Sequence, residues 1–552
     1  MKYLFIFFFL LFTSHSFGQV VMRDTTIQWK HFDYQLDQYY SLESYSTDEV
    51  VTSSFEGIVL ENKWVKVVLI PEFGARIISY IYKPTGKEQL YQNPIGVPYN
   101  IGNGIFYHDW LMVYGGIFPT FPDPEHGKYW NTPWDAQITN QSVDKVTVAM
   151  SQLDTLNNPR HPGQYSGITG ISCRYIVSLE ANKPYFTVVV ELENDGTADN
   201  YEYWTCITFA PGSESGNTFT PANSEMIVPI AQYKMGWNQG NWMEGLDSVI
   251  STNGAYVMEY DKLAHLSNWE EMGIAYAYPT LEDNFYGVIN HENEQGLFRL
   301  SSDQSKTPGM KFWTWGNEQG LNADPNNFYD DARPYIELWS GVSNEFFQKS
   351  HLGANEMVSW TETYLPTVGI ADVDYLSEDI AFTSALEGTN LRTTAFYPLN
   401  SATYEINISV DKATESLYSA IEEIVASPTK AFSINLDLNS FELDGALAEI
   451  EVELLQNGEL VHVEFFNYKE NIVANGAIQP IDPELFLRNQ SIHLVFESSQ
   501  ARQVAVYDAS GKMLSNILPF YQSVEIPYSK SGLYILRVVE GNRVWTKKLL
   551  IR

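Results

Sequence analysis

Basic residues, cysteine and long apolar runs are what this 552-residue chain has least of. Lysine and arginine together number 33 against 68 aspartates and glutamates, a formal charge of -35. A surface of that sign repels polyanions over most of its area, which excludes nucleic acid and anionic membrane surfaces as partners but leaves room for a local basic pocket. The two cysteines, Cys173 and Cys206, each sit inside a strand-like run. They form either one disulfide between neighbouring strands or two buried thiols, and without histidines at ligand spacing they make no case for zinc. No other metal or cofactor motif is present, so none is expected. Beyond the N-terminus no stretch stays apolar over the roughly 20 residues of a membrane-spanning helix.

What is present begins with Lys2, an apolar run from Tyr3 to Phe12, and small and polar residues up to Gly18. Residues 1–18 therefore read as a secretory signal peptide, with no nearby cysteine to carry a lipid anchor. The mature protein is expected to be soluble, secreted or held at the cell surface. Short alternating runs bounded by Gly, Pro, Asn and Asp recur throughout, among them Trp64 to Val68, Tyr185 to Glu193 and Glu449 to Leu454. They predict an all-β chain, and the 14% aromatic content suits strands and sugar-stacking surfaces alike. Residues 19–370, rich in Trp, Gly and Pro, are expected to form one large β-sandwich, with residues 20–50 packed on it as extra strands. Residues 371–480 read as a smaller β-rich module with a short helix at Ser416 to Ala426.

Residues 481–552 carry Val504 to Asp508, then Ser510-Gly511-Lys512, Ser531 to Val538 and Lys547 to Arg552. This segment resembles the C-terminal sorting domain of type IX secretion in Bacteroidota. The resemblance implies the type IX machinery as a partner, and export across the outer membrane.

Polar clusters follow in order through the large region: Leu60 to Val67, Pro71 to Ile77, Gly115 to Phe118, Pro124-Glu125-His126-Gly127, Tyr203 to Thr205, Gly287 to His291, Pro308 to Gly316, Tyr335 to Leu338, and Ser359-Trp360. Over residues 55–370 the series resembles the galactose mutarotase-like superfamily, in its poorly characterised bacterial branch. The resemblance implies a large β-sandwich, a supersandwich, offering a concave sheet face to a sugar. It also implies that Glu337 matches the glutamate that acts as general base, and His126 an early substrate-binding histidine. His291, at the end of the apolar run Tyr286 to Ile289, is a further acid/base candidate.

Such chemistry needs an acid and a base on either side of one sugar. Lys311, Trp313 and Trp315 alternate, so they share one strand face, where indoles stack on a pyranose and an ammonium meets its polar groups. Arg76, after the small pair Gly74-Ala75, offers a planar donor fork to hydroxyls or a carboxylate, or else an ion pair to Glu72. Trp130, Trp204 and His108 complete the expected substrate contacts; His108 and Asp109 cannot both face the site if they lie in a strand. The run Glu202 to Ile207 contains no histidine, where the mutarotases carry their catalytic one. Simple aldose mutarotation is therefore not the expected activity. The expectation is a carbohydrate-active protein using acid/base chemistry of epimerase, lyase or glycosidase type, a glycosidase needing Glu125 or Asp109 beside Glu337. A glycan-binding surface protein without catalysis is the alternative.

Overall fold

The computed structural model describes residues 18–551 apart from 41, 97–114, 124–125, 158–166, 198, 236–249, 253–254, 260–262, 271, 318–332, 413–414, 444, 470–483, 489–490, 497–501, 509–512, 529, 531 and 541–542. The chain is all-β and almost entirely strand. It divides into two compact units, Met1–Pro366 and Thr367–Arg552.

The first unit stacks a 13-stranded sheet on an 8-stranded one. The larger sheet opens with β1 (Val21–Leu36), β2 (Leu42–Glu61), β3 (Val65–Ile70), β4 (Arg76–Tyr82) and β5 (Lys87–Leu90), paired antiparallel in sequence order. β6 (Ile117–Thr120) joins beside β4. The sheet continues through the strands Trp204–Ser213, Ile336–Gly341, Gly309–Thr314 and Gly273–Tyr278. Val65, Val67 and Leu69 are fully buried between the sheets, whereas Val68 and Ile70 point to the other face, as the two-residue strand period requires.

An ion pair is buried between the sheets. Glu362, on the Glu356–Val368 strand, and Arg299, on the Gln295–Ser301 strand, both lie at 0% exposure with 2.8 Å between them. Glu362 also accepts hydrogen bonds from Tyr364 (2.7 Å), Trp360 (3.1 Å) and Ser340 (3.1 Å). Burial pushes its carboxyl up, but Arg299 and these donors outweigh that and hold it below the usual carboxylate range.

The second unit contains two four-stranded sheets around Ile406, Ile408, Val410, Ile450 and Val452. A three-stranded and a four-stranded sheet follow, over Ile492, Leu494, Val504, Leu536 and Val538. The helix expected at Ser416 to Ala426 is instead the strand Glu415–Glu423, paired along its length with Tyr404–Lys412. Sheet pairing and packing override the helix propensity of its Glu, Leu and Ala residues. In the terminal module Arg502–Asp508 pairs with Gly532–Glu540, and that with Arg543–Ile551. The Ser510-Gly511-Lys512 turn lies outside the described residues, as do residues 1–17.

Candidate functional site

Strand register assembles the site. Phe118, Cys206, Trp339, Lys311 and Tyr276 are direct cross-strand partners on five adjacent strands, so their side chains form one row on the outer face of the large sheet. The next row is Thr208, Glu337, Trp313 and Ile274. The third sets Trp204 against Gly341, which in turn pairs Gly309. A Cβ on Gly341 would lie 2.3 Å from the Trp204 indole, so that glycine makes room for the ring.

Trp339 is the hub. Its indole N–H donates to Glu337 at 2.7 Å, the Lys311 ammonium lies 4.0 Å from its ring, and the His126 ring is centred 6.0 Å away. Lys311 also faces Phe346 at 4.5 Å. Glu337 is held from its other side by the Tyr335 hydroxyl at 3.4 Å, which accepts from the Trp315 indole at 3.2 Å. Trp313 packs edge-on against Trp315, 4.7 Å between centroids.

Arg76 enters from the start of β4, after two residues in the left-handed region, Gly74 (φ 71) and Ala75 (φ 52). Its guanidinium lies 3.7 Å from the Phe118 ring and donates to the Gly115 carbonyl at 2.7 Å. The Glu72 carboxylate accepts from the Glu56 amide. His126 and Trp130 come from the segment after β6, with 5.6 Å between their rings. That segment is anchored by Lys128 and Tyr129, which donate to the buried Asp154 at 3.1 Å and 2.9 Å. Desolvation, then Lys311, then Arg76 push the His126 imidazole well below its usual range, so it is neutral at pH 7.

The register thus brings Glu337, His126, Arg76, Trp130, Lys311, Trp313 and Trp315 to one face. His291 is not among them: it ends a strand of the other sheet and pairs with Glu225 at 2.8 Å. The apolar run before it belongs to the back sheet, which removes His291 from the acid/base candidates at this face. Trp204, on the same face, is fully buried against Phe346 and Tyr276 and so packs the site without being open to a ligand. Cys206 and Cys173 are free thiols on different sheets, which settles the disulfide question, and burial raises both. His108, Asp109 and Glu125 lie outside the described residues. Trp339 went unremarked in sequence, although it follows Glu337 by two and shares its face by the same alternation.

Arg76 and Lys311 are 1% and 2% exposed, whereas His126 and Trp313 are only partly buried.

Residues 34–223 match the family model of a domain of unknown function, DUF5107. A TPR-domain containing protein from Parabacteroides distasonis shares the fold at 19% identity and a TM-score of 0.52, over 65% of this chain and 57% of that one. The chain thus spans little more than half of that protein. A galactose mutarotase-like protein from Clostridium acetobutylicum is similar at 11% identity and a TM-score of 0.39, covering 57% and 96% of the two chains. A proposed aldose 1-epimerase from Escherichia coli K12 is similar at 11% identity and 0.35, covering 55% and 96%.

Proposed function

We propose that this protein is an exported carbohydrate-active enzyme that takes an acidic sugar on the outer face of its large sheet. The observation that carries the reading is the convergence of Lys311, Glu337 and His126 on Trp339. An indole surface stacks on a sugar ring, and buried cations hold a carboxylate more strongly than surface ones do. Arg76 and Lys311 do two jobs at once. They orient a uronate carboxylate, and they hold His126 neutral, so that it accepts a carbon-bound proton next to that carboxylate. Glu337, fixed by two donors, serves the opposite side of the sugar as the second proton-transfer group. In epimerisation His126 keeps the proton it takes and a protonated Glu337 delivers a different one to the opposite face of the same carbon; in elimination the bond to the leaving oxygen breaks as the double bond forms, and that oxygen takes up a proton. The N-terminal signal and the terminal module support export through the type IX pathway to the cell surface or medium.

The test is turnover of uronate-containing oligosaccharides, followed by ultraviolet absorbance for elimination and by solvent deuterium incorporation for epimerisation. Glu337→Gln and His126→Gln are expected to lower kcat by 100-fold or more, the usual range for a general acid or base. Binding without turnover in the native protein, unchanged by Glu337→Gln, would instead establish a glycan-binding protein.

A further inference from the structure

The first five strands border a second groove, open to solvent and lined by both apolar and polar residues. β1 and β2 pair from Val21 with Glu61 out to Leu36 with Leu42, a ribbon much longer than the strands beside it. The ribbon curls back over the sheet, and His31 bridges Gly96 in the segment that follows β5. The Phe32 amide donates to the Gly96 carbonyl at 3.0 Å and the Gly96 amide to the Lys30 carbonyl at 2.8 Å. Strands β1 to β5 thus close into a small ring. A Cβ on Gly96 would lie 2.2 Å from the Trp29 indole, so closure depends on a glycine there.

Inside the ring is a groove of about 580 Å³, within the size range of small-molecule sites. Trp29, Lys30, Lys66, Glu88, Gln92 and Asn93 contribute to its lining. Lys30 is exposed and Lys66 partly buried, and neither forms an ion pair among the described residues. Glu88 is fully enclosed, accepting from the Tyr80 amide at 2.7 Å and the Gln92 amide at 3.3 Å, and burial pushes its carboxyl up. Ile78 and Trp29 line it and also belong to the apolar cluster around Trp339, so groove and site share one sheet face.

We infer that this groove is a second subsite, binding a further acidic unit, carboxylated or sulfated, of the glycan chain whose reacting unit sits at Trp339. This rests on the reading of the first site, and it makes the ligand an oligosaccharide or polymer. Lys66, with Lys30 at the exposed rim, meets the acidic group, and Gln92 and Asn93 supply neutral hydrogen-bonding groups.

Calorimetric titration of the full chain tests it, using oligogalacturonate as the carboxylated probe, a sulfated oligosaccharide as the second, and a neutral oligosaccharide of equal length. One acidic probe is expected to bind, with affinity falling as salt rises, while the neutral one does not. The probe that binds identifies the acid. Lys30→Met with Lys66→Met should weaken Kd at least 10-fold, while Lys145→Met, on the other sheet and away from the groove, leaves it within about twofold. Equal affinity in the double lysine variant, or no binding of either acidic probe, overturns the subsite. If the double variant unfolds, Lys66→Arg alone keeps the charge and must preserve binding. Galacturonic acid monomer separates the two readings: loss of its turnover in Glu337→Gln concerns only the first site.

Discussion

Replacing Glu362 by Gln should destabilise the first unit by about 3 to 5 kcal/mol, the usual cost of removing one partner from a buried ion pair. The substitution preserves shape but leaves the Arg299 guanidinium, at 0% exposure, without its 2.8 Å counter-charge. It also points an amide N–H at donors that now face a carboxylate, Tyr364, Trp360 and Ser340. Tryptophan fluorescence is the assay, because every tryptophan except Trp545 precedes Pro366. Guanidinium titrations at pH 7 compare native, Glu362→Gln, Arg299→Met, and the double variant Arg299→Met with Glu362→Leu. The double variant should regain most of the loss, since an apolar pair of similar volume avoids desolvating either charge. A pH series adds a signed check. The folded carboxyl is depressed, so its stabilisation is full above the unfolded value of 4.5 and is lost as pH falls through the folded value. The gap between native protein and Glu362→Gln should therefore narrow on acidification below pH 4.5. A loss under about 1 kcal/mol at pH 7, or a double variant as costly as the two single ones summed, would refute the account.

Glu202, fully enclosed and pushed up to about 7 by burial, contributes stability that is complete below 4.5 and lost as pH rises through 7. Glu202→Gln should therefore be more stable than the native protein at pH 8, by up to about 3 kcal/mol for a shift of this size, and show no advantage at pH 4. Gly74→Ala would place a Cβ 1.9 Å from the Trp130 carbonyl in a left-handed backbone. It should lower the melting temperature and impair turnover together, as read by calorimetry and kinetics. With His126 as base, the acid limb of kcat/KM should fall below pH 6.5, and Lys311→Met should move it up by removing a neighbouring cation. An acid limb unmoved by Lys311→Met would detach His126 from the chemistry. Cys206, buried with its thiol pushed up, should resist iodoacetamide in the native protein and react on unfolding, as mass spectrometry would read.

The sheets were legible in sequence because alternation is a local signal. Lys311 and Trp313 could be put on one face from spacing alone, and the structure pairs Trp313 with Glu337 on the neighbouring strand. Which sheet a strand joins is a tertiary property, so the run ending in His291 gave the same signal as a site strand. Segment Ser416 to Ala426 failed for a related reason: its Glu, Leu and Ala favour a helix, and only its partner Tyr404–Lys412 makes it a strand. The groove had no sequence signature, because nothing local relates Lys30 to Gly96 or Lys66 to Glu88.

The five-strand ring is built from consecutive neighbours between Val21 and Gly96, whereas the row at Trp339 draws on residues from Phe118 to Trp339. Closing short loops costs less chain entropy than closing long ones. The ring can therefore form while the strands bearing Lys311 and Glu337 are still unpaired, giving them a finished edge on which to assemble.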